Sequence, residues 1–417
     1  MSNRIRALFL SPYVPSRSSG GPVRLHGLLM GLPDTCEVTV LAFESGIRER
    51  DTPTRAALER CREIVTIPND RFAPPGTAKR ALQLRSVMST RSFEWITHQR
   101  DALQTELDRL SQRSTFDVIQ VEHSYMAHYV FPPGPAVVLD EHNVEYEVRA
   151  RSAAVAAPGP RKVYDSLNWR KLRAEEERSW RAVAACAVTS ERDEASIRMA
   201  SPDTPTAVVP NAVDTQYFSP ASGPADPLSV LFFGTMAYYP NVDAVVFFLR
   251  EVMPRLRRSH PSVRLRIVGS LPPRAVTQLA APDVTITGFV DDVRPYLERA
   301  SVVVAPLRIG GGTRLKILEA MAMGRPVVST AVGAEGLAAR HGREALIADD
   351  AESFAAQVAR VLDDHDLAAR IGLAARRLVE ERYDWRASAR VLEALYRKVL
   401  DAPRRGATTQ TRSFPAA

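Results

Sequence analysis

The sequence predicts an α/β protein made of two doubly wound parallel sheets. Three observations carry this: short runs that are apolar throughout, longer helical patterns between them, and a Pro/Gly/Ser-rich break near the middle of the chain. In the first half the apolar runs are Ile5–Leu10, Val38–Ala42, Ile64–Ile67, Val118–Val121, Val137–Asp140, Cys186–Thr189 and Ala207–Val209. In the second half they are Val230–Phe233, Leu265–Val268, Val284–Thr287, Val302–Ala305, Val327–Ser329 and Leu346–Ala348. A run that is apolar at successive positions buries both faces of a strand, as happens where helices cover both sides of a sheet. Regular strand–helix alternation makes the strands parallel. The break, Asn211–Pro227, has no sustained period and reads as a linker. It separates an expected first domain, residues 1–210, from a second, residues 211–384, and two such domains leave a cleft at the carboxyl ends of their strands. Trp385–Leu400 reads as an amphipathic helix with Val391, Leu392, Leu395, Tyr396 and Leu400 on its apolar side. Residues 401–417 lack an apolar period and read as a disordered tail.

Composition agrees with this organisation. A chain of 417 residues accommodates about two domains. Hydrophobic content of 45% and charged content of 25% are those of a soluble globular protein. The cysteines, Cys36, Cys61 and Cys186, are odd in number and lack metal-ligand spacing, so they read as small buried hydrophobes of a reducing compartment. The apolar run near the start is too short for a signal peptide, and none is long enough to cross a membrane. The expected location is therefore cytoplasmic. The net charge of +7 and pI near 9.5 admit anionic ligands without selecting one. Dispersed basic residues without a recognition module argue against nucleic acid. The first strand is not followed by G-x-G-x-x-G, which argues against a nicotinamide dehydrogenase.

The most informative segment is Pro306–Thr330, PLRIGGGTRLKILEAMAMGRPVVST. A buried strand runs into Gly310, Gly311 and Gly312, and a helix is expected to start near Thr313. Glycines let the backbone approach a ligand closely, and a helix start offers free N–H groups and partial positive charge. Together they form an anion site suited to a phosphate or diphosphate. Arg314 and Lys316 add full charges, with Arg308 nearby. Glu319 lies about two turns in, roughly 9 Å along the axis, too far for the phosphate but placed to accept hydrogen bonds from a ribose diol. Phosphate at one end and diol at the other describe a nucleotide.

Several segments together resemble glycosyltransferase family 4, retaining enzymes of the GT-B fold. These are VVPNAVDTQYF (Val208–Phe218), LRIVGSLP (Leu265–Pro272), VTITGFVDDVRPYLERASVVVAPL (Val284–Leu307) and, most specifically, LEAMAMGRPVVST (Leu318–Thr330). The resemblance runs from about Arg4 to Leu400. It implies two Rossmann-like domains facing a cleft: the first presents the acceptor, the second holds a nucleotide sugar, and the last helix crosses back to the first domain. It further implies donor contacts at Gly234, Gly269, Phe289, Val290, Gly310, Gly311, Gly312, Thr313 and Glu319. Two departures stand out. The family's first glutamate falls on Gly311 here, and its usual Arg/Lys pair after the first C-domain strand is replaced by Thr235 and Pro240. Arg314 and Lys316 are the expected substitutes at the diphosphate.

On the acceptor side the resemblance points to Gly20, Gly21 and Arg24, in the loop and helix after the first strand. It also points to His142, at the end of VVLDEHNVEYE, as a residue near the transferred sugar; the Glu122–His123 pair is a second candidate at a strand end. Arg71–Arg100 interleaves six cations with apolar residues around one acid, Glu94. Two readings stay open for it: a helix lying on anionic lipid, or one packed on its own domain with its arginines in water. The implied reaction moves a sugar from a nucleoside-diphosphate sugar to a hydroxyl of a glycan, lipid-linked or small-molecule acceptor, without cofactor or metal, in polysaccharide or glycoconjugate biosynthesis. A sugar-nucleotide epimerase of the same architecture and a non-catalytic nucleotide-sugar-binding protein remain as alternatives.

Overall fold

The computed structural model describes residues 4–17, 20–44, 52–71, 76–155, 158–220, 223–236, 238–309 and 314–402. The expected glycine loop, Gly310 to Thr313, lies outside them, as does the tail beyond residue 402. The chain divides into two compact units: one comprises Met1–Pro210 with Trp385–Ala417, the other Asn211–Asp384.

The first unit holds a seven-stranded sheet: β1 (Ile5–Ser11), β2 (Cys36–Glu44), β3 (Glu63–Pro68), β4 (Val118–Glu122), β5 (Ala136–Glu141), β6 (Ala185–Val188) and β7 (Thr206–Val208), in the order β3-β2-β1-β4-β5-β6-β7. The second holds six strands: β8 (Ser229–Phe233), β9 (Arg264–Val268), β10 (Val284–Gly288), β11 (Val302–Ala305), β12 (Val327–Ser329) and β13 (Leu346–Ile347), in the order β10-β9-β8-β11-β12-β13. Every pairing in both sheets is parallel. Each apolar run predicted from sequence is a strand, displaced by no more than about two residues at an end, the usual uncertainty of a boundary. Burial on both faces is complete only in central strands such as β4, β6, β8 and β11, whereas the edge strands β3 and β10 are half-buried.

In each sheet the order reverses once, between β1 and β4 and between β8 and β11. Ligands of such sheets bind beyond the carboxyl ends at this switch point. Pairing of Leu10 with Val121 and of Glu122 with Asp140 sets the ends of β1, β4 and β5 side by side. The last helix, Trp385–Asp401, belongs to the first unit and packs on the helix Gly21–Gly31. Its buried face is Trp385, Ser388, Ala389, Leu392, Leu395 and Tyr396. Val391 and Leu400, expected on that face, turn to solvent, because the helical period places them off the Trp385–Tyr396 stripe. The three cysteines are free and buried, and burial raises the Cys36 and Cys61 thiols to about 11.

Candidate functional site

At the switch point of the second unit, β8 is followed by Gly234, whose φ of 143° suits only glycine. A Cβ there would lie 2.7 Å from Lys316 Nζ, and one on Gly269 would lie 2.0 Å from the Gly234 carbonyl oxygen. Both glycines thus exist because the loops after β8 and β9 touch and a lysine reaches in beside them. That lysine comes from the helix Leu315–Ala322. Its Nζ donates to Asn241 Oδ1 at 2.6 Å and sits 4.6 Å from the Phe232 ring centroid. Asn241 is held in turn by donating Nδ2–H to the Thr235 carbonyl at 2.8 Å. Burial first, then the neighbouring Arg314, pushes the Lys316 ammonium down to about 7.

Glu319 lies one turn beyond Lys316 on the same helical face. The helix begins at Leu315, later than expected, so Glu319 stands about 6 Å in rather than two turns. Burial raises its carboxyl to about 7, opposed by Lys316. Among the described residues its carboxylate makes no hydrogen bond or ion pair. Arg314, just before the helix, is buried, and that burial lowers its pKa. Arg308 forms an ion pair with Asp243, at 2.6 and 3.0 Å. Phe289 is 66% exposed, while Val290 packs against the core.

The first unit gathers a second group at its own switch point. Tyr13, just past β1, places its hydroxyl 3.0 Å from His142 Nδ1 and 3.1 Å from His123 Nε2. The other nitrogen of His142, Nε2, meets Glu122 Oε2 at 2.7 Å. Glu122 Oε1 accepts from Gln120 Nε2 at 2.6 Å, and Gln120 Oε1 accepts from the hydroxyl of Tyr396. A polar chain therefore runs from the last helix to His123. Burial, then Asp140, raises the Glu122 pKa, while burial drives that of His123 well down and that of Tyr13 well up.

Gly21 is explained by this group: a Cβ there would lie 2.0 Å from the Tyr13 hydroxyl. Gly20 adopts φ 56° at the head of the helix. Arg24, expected to face an acceptor, is buried with its guanidinium forked onto Asp140 at 2.9 and 2.7 Å and its third arm on the Val209 carbonyl. That placement corrects the expectation: the charge is spent on closing the strand ends. Glu122, Asp140 and His142 offer ligand atoms within 4.8 Å of one another, but Arg24 occupies both oxygens of Asp140, so the cluster is a hydrogen-bond network. His142, the leading sequence candidate, has both ring nitrogens engaged. Sequence reading missed Tyr13 and Asn241, which belong to no motif; the glycine pair beside Tyr13 was the available signal.

Residues 227–364 match the family model described as Glycosyl transferases group 1. Among curated proteins, glycogen synthase of Mycobacterium tuberculosis is 31% identical over 42% of this chain and 43% of its own length. A Klebsiella pneumoniae protein described as an uncharacterized 44.6 kDa protein in the cps region is 24% identical over 41% of this chain and 45% of its own. The chain thus spans less than half the length of these relatives. Among solved structures, sucrose-phosphate synthase from Thermosynechococcus elongatus superposes with a TM-score of 0.72 at 18% identity, covering 96% of this chain and 100% of that one. Anabaena HepE in complex with UDP superposes with a TM-score of 0.67 at 14% identity, covering 94% and 100%. The fold is that of these GT-B proteins.

Proposed function

We propose, from the match of residues 227–364 to Glycosyl transferases group 1, that the chain is a retaining glycosyltransferase. It moves a sugar from a nucleoside-diphosphate sugar to a hydroxyl of a glycan, lipid-linked or small-molecule acceptor, in polysaccharide or glycoconjugate biosynthesis on the cytoplasmic side. One observation carries this reading: a cation and an unengaged carboxylate, Lys316 and Glu319, stand one helical turn apart at the switch point of the second sheet. The lysine meets the diphosphate and the carboxylate takes the ribose diol.

In this scheme the Lys316 ammonium and the Arg314 guanidinium neutralise the charge that grows on the departing diphosphate. Lys316 reaches Gly234 from the far helix, and so fills from outside the place left without a cation after β8. The acceptor hydroxyl attacks the anomeric carbon on the leaving-group face, and the departing phosphate takes its proton. Anabaena HepE has been solved in complex with UDP and with UDP-glucose, which favours a nucleotide sugar as donor here.

A thermal-shift panel of UDP, GDP, ADP and their sugars tests the reading. A ligand at a hundred times its dissociation constant adds about 2.7 kcal/mol, a clear rise in Tm. One base series is expected to stabilise the wild type and to lose that effect in Glu319→Ala; stabilisation by none of them overturns the assignment.

A further inference from the structure

The lysines of the chain are Lys79, Lys162, Lys171, Lys316 and Lys398, and its other fixed cations are arginines. Lys316 is held without a counter-charge. Among the described residues its Nζ forms no ion pair, and its hydrogen bond goes to an uncharged amide, Asn241 Oδ1, at 2.6 Å. Asn241 is 4% exposed, in the first turn of the helix Tyr239–Phe247. Its Nδ2–H donates to the Thr235 carbonyl at 2.8 Å, and a carbonyl can only accept, so Oδ1 is the atom that faces the lysine. The loop carrying Thr235 is tied down in turn. The Thr235 hydroxyl meets Ser270 Oγ at 3.1 Å, and Met236 N–H donates to the Ser270 carbonyl at 2.9 Å. Gly234 makes room for the pair: a Cβ there would lie 2.7 Å from Lys316 Nζ and 3.0 Å from Asn241 Nδ2.

We infer that Asn241 is a positioning residue of the donor site: its uncharged amide aims the Lys316 amine at the donor's leaving diphosphate without supplying a counter-charge. An ammonium has three N–H bonds and a neutral amine two, so one can stay on Oδ1 in either state and the anchor survives a change of charge. A carboxylate in the same place would hold the ammonium in a closed ion pair and repel the phosphates. An arginine in place of the lysine could not shed its proton at all. The other groups around Nζ leave it open to an anion. Phe232 offers its ring face, with the centroid 4.6 Å away, and Gly234 has no side chain. Asp243, on the same helix as Asn241, is engaged by Arg308. Arg314 and Glu319, on the lysine's own segment, act on it with opposite signs. An arriving diphosphate supplies the counter-charge, and the amine then takes up a proton. The aim at a diphosphate rests on the glycosyltransferase reading above; the grip of Asn241 on the amine does not.

The test follows the lysine Cε resonances by carbon-13 NMR in the full chain, where so few lysines can each be assigned by substitution. In the free protein, Asn241→Asp is expected to raise the pH at which Lys316 titrates by about one unit or more, and Asn241→Ala to lower it. A titration unmoved in Asn241→Asp overturns the inference, whatever the donor. UDP, GDP, ADP and inorganic pyrophosphate are then added calorimetrically to the wild type and both variants, in two buffers of different ionisation enthalpy. A compound that binds the wild type is expected to bind each variant about tenfold more weakly or worse, and its proton uptake is expected to vanish in Asn241→Asp. Binding to both variants within about twofold of wild type refutes the positioning role and leaves the donor reading standing. If none of the four binds the wild type, the donor reading fails and the aim at a diphosphate fails with it, while the titrations still judge the grip. Asn241→Asp keeps the shape of the native side chain and is expected to fold with an unchanged circular dichroism spectrum. Should Asn241→Ala not fold, Asn241→Asp decides alone.

Discussion

Burial pushes Lys316 down and Glu319 up, each to about 7, so their shifts have opposite signs. The lysine lies below its unfolded value, so its penalty on folding is relieved as pH rises from about 7 toward 10.4. The glutamic acid lies above its own, so its contribution is full below about 4.3 and is lost as pH rises through 7. Their combined contribution to stability is weakest near neutrality. An anion at Nζ favours the ammonium and raises its pKa. Nucleotide binding at about pH 8 is therefore expected to take up close to one proton. Calorimetry in two buffers of different ionisation enthalpy measures this. Lys316→Met should abolish the uptake and weaken binding; uptake unchanged in that variant would remove Lys316 from the diphosphate.

At the scale of elements, two glycines on the helix Gly21–Gly31 do different work. A methyl group on Gly31 would meet the Trp385 carbonyl oxygen at 2.5 Å, a backbone atom of the packed last helix. Gly31→Ala should therefore cost about 1–3 kcal/mol, as overpacking does, visible as a fall in denaturant midpoint. On Gly21 the same methyl meets the Tyr13 hydroxyl, the far end of a side chain that can swing away. Gly21→Ala is expected to leave stability within about 1 kcal/mol yet break the Tyr13 bridge between the histidines, lowering transfer activity at least tenfold. A Gly21→Ala enzyme of normal activity would show that the bridge is dispensable. The cationic stretch Arg71–Arg100 also divides by element. Trp95 and Ile96 are core residues of the short helix Phe93–His98, while the helix Gly76–Met88 leaves Leu84, Val87 and Met88 exposed beside Lys79, Arg80 and Arg85.

For the whole molecule, a net charge of +7 and that exposed helix make contact with anionic lipid a reading to be tested against a solvated basic face. Among the described residues no helix is long and apolar enough to cross a membrane. Co-sedimentation with phosphatidylglycerol vesicles at low salt should retain the wild type and release a Leu84→Glu, Met88→Glu double variant; equal retention of both would exclude the helix as the contact. Most of the fold was legible in the sequence, because an apolar run between helical patterns is a local signal and strand burial depends on it directly. That Lys316 and Glu319 stand on one helical face was legible too, since they share one helix and their spacing is written in the chain. What the sequence could not decide was which distant residues meet. Tyr13, His123 and His142 are more than a hundred residues apart at the extremes, and only the order β1-β4-β5 brings their strand ends to one rim. Likewise only the neighbouring of β8 and β11 carries Lys316 to Gly234 and Asn241. The reason is physical: periodicity fixes what each segment buries, but sheet order and register, which are collective, decide what stands beside it.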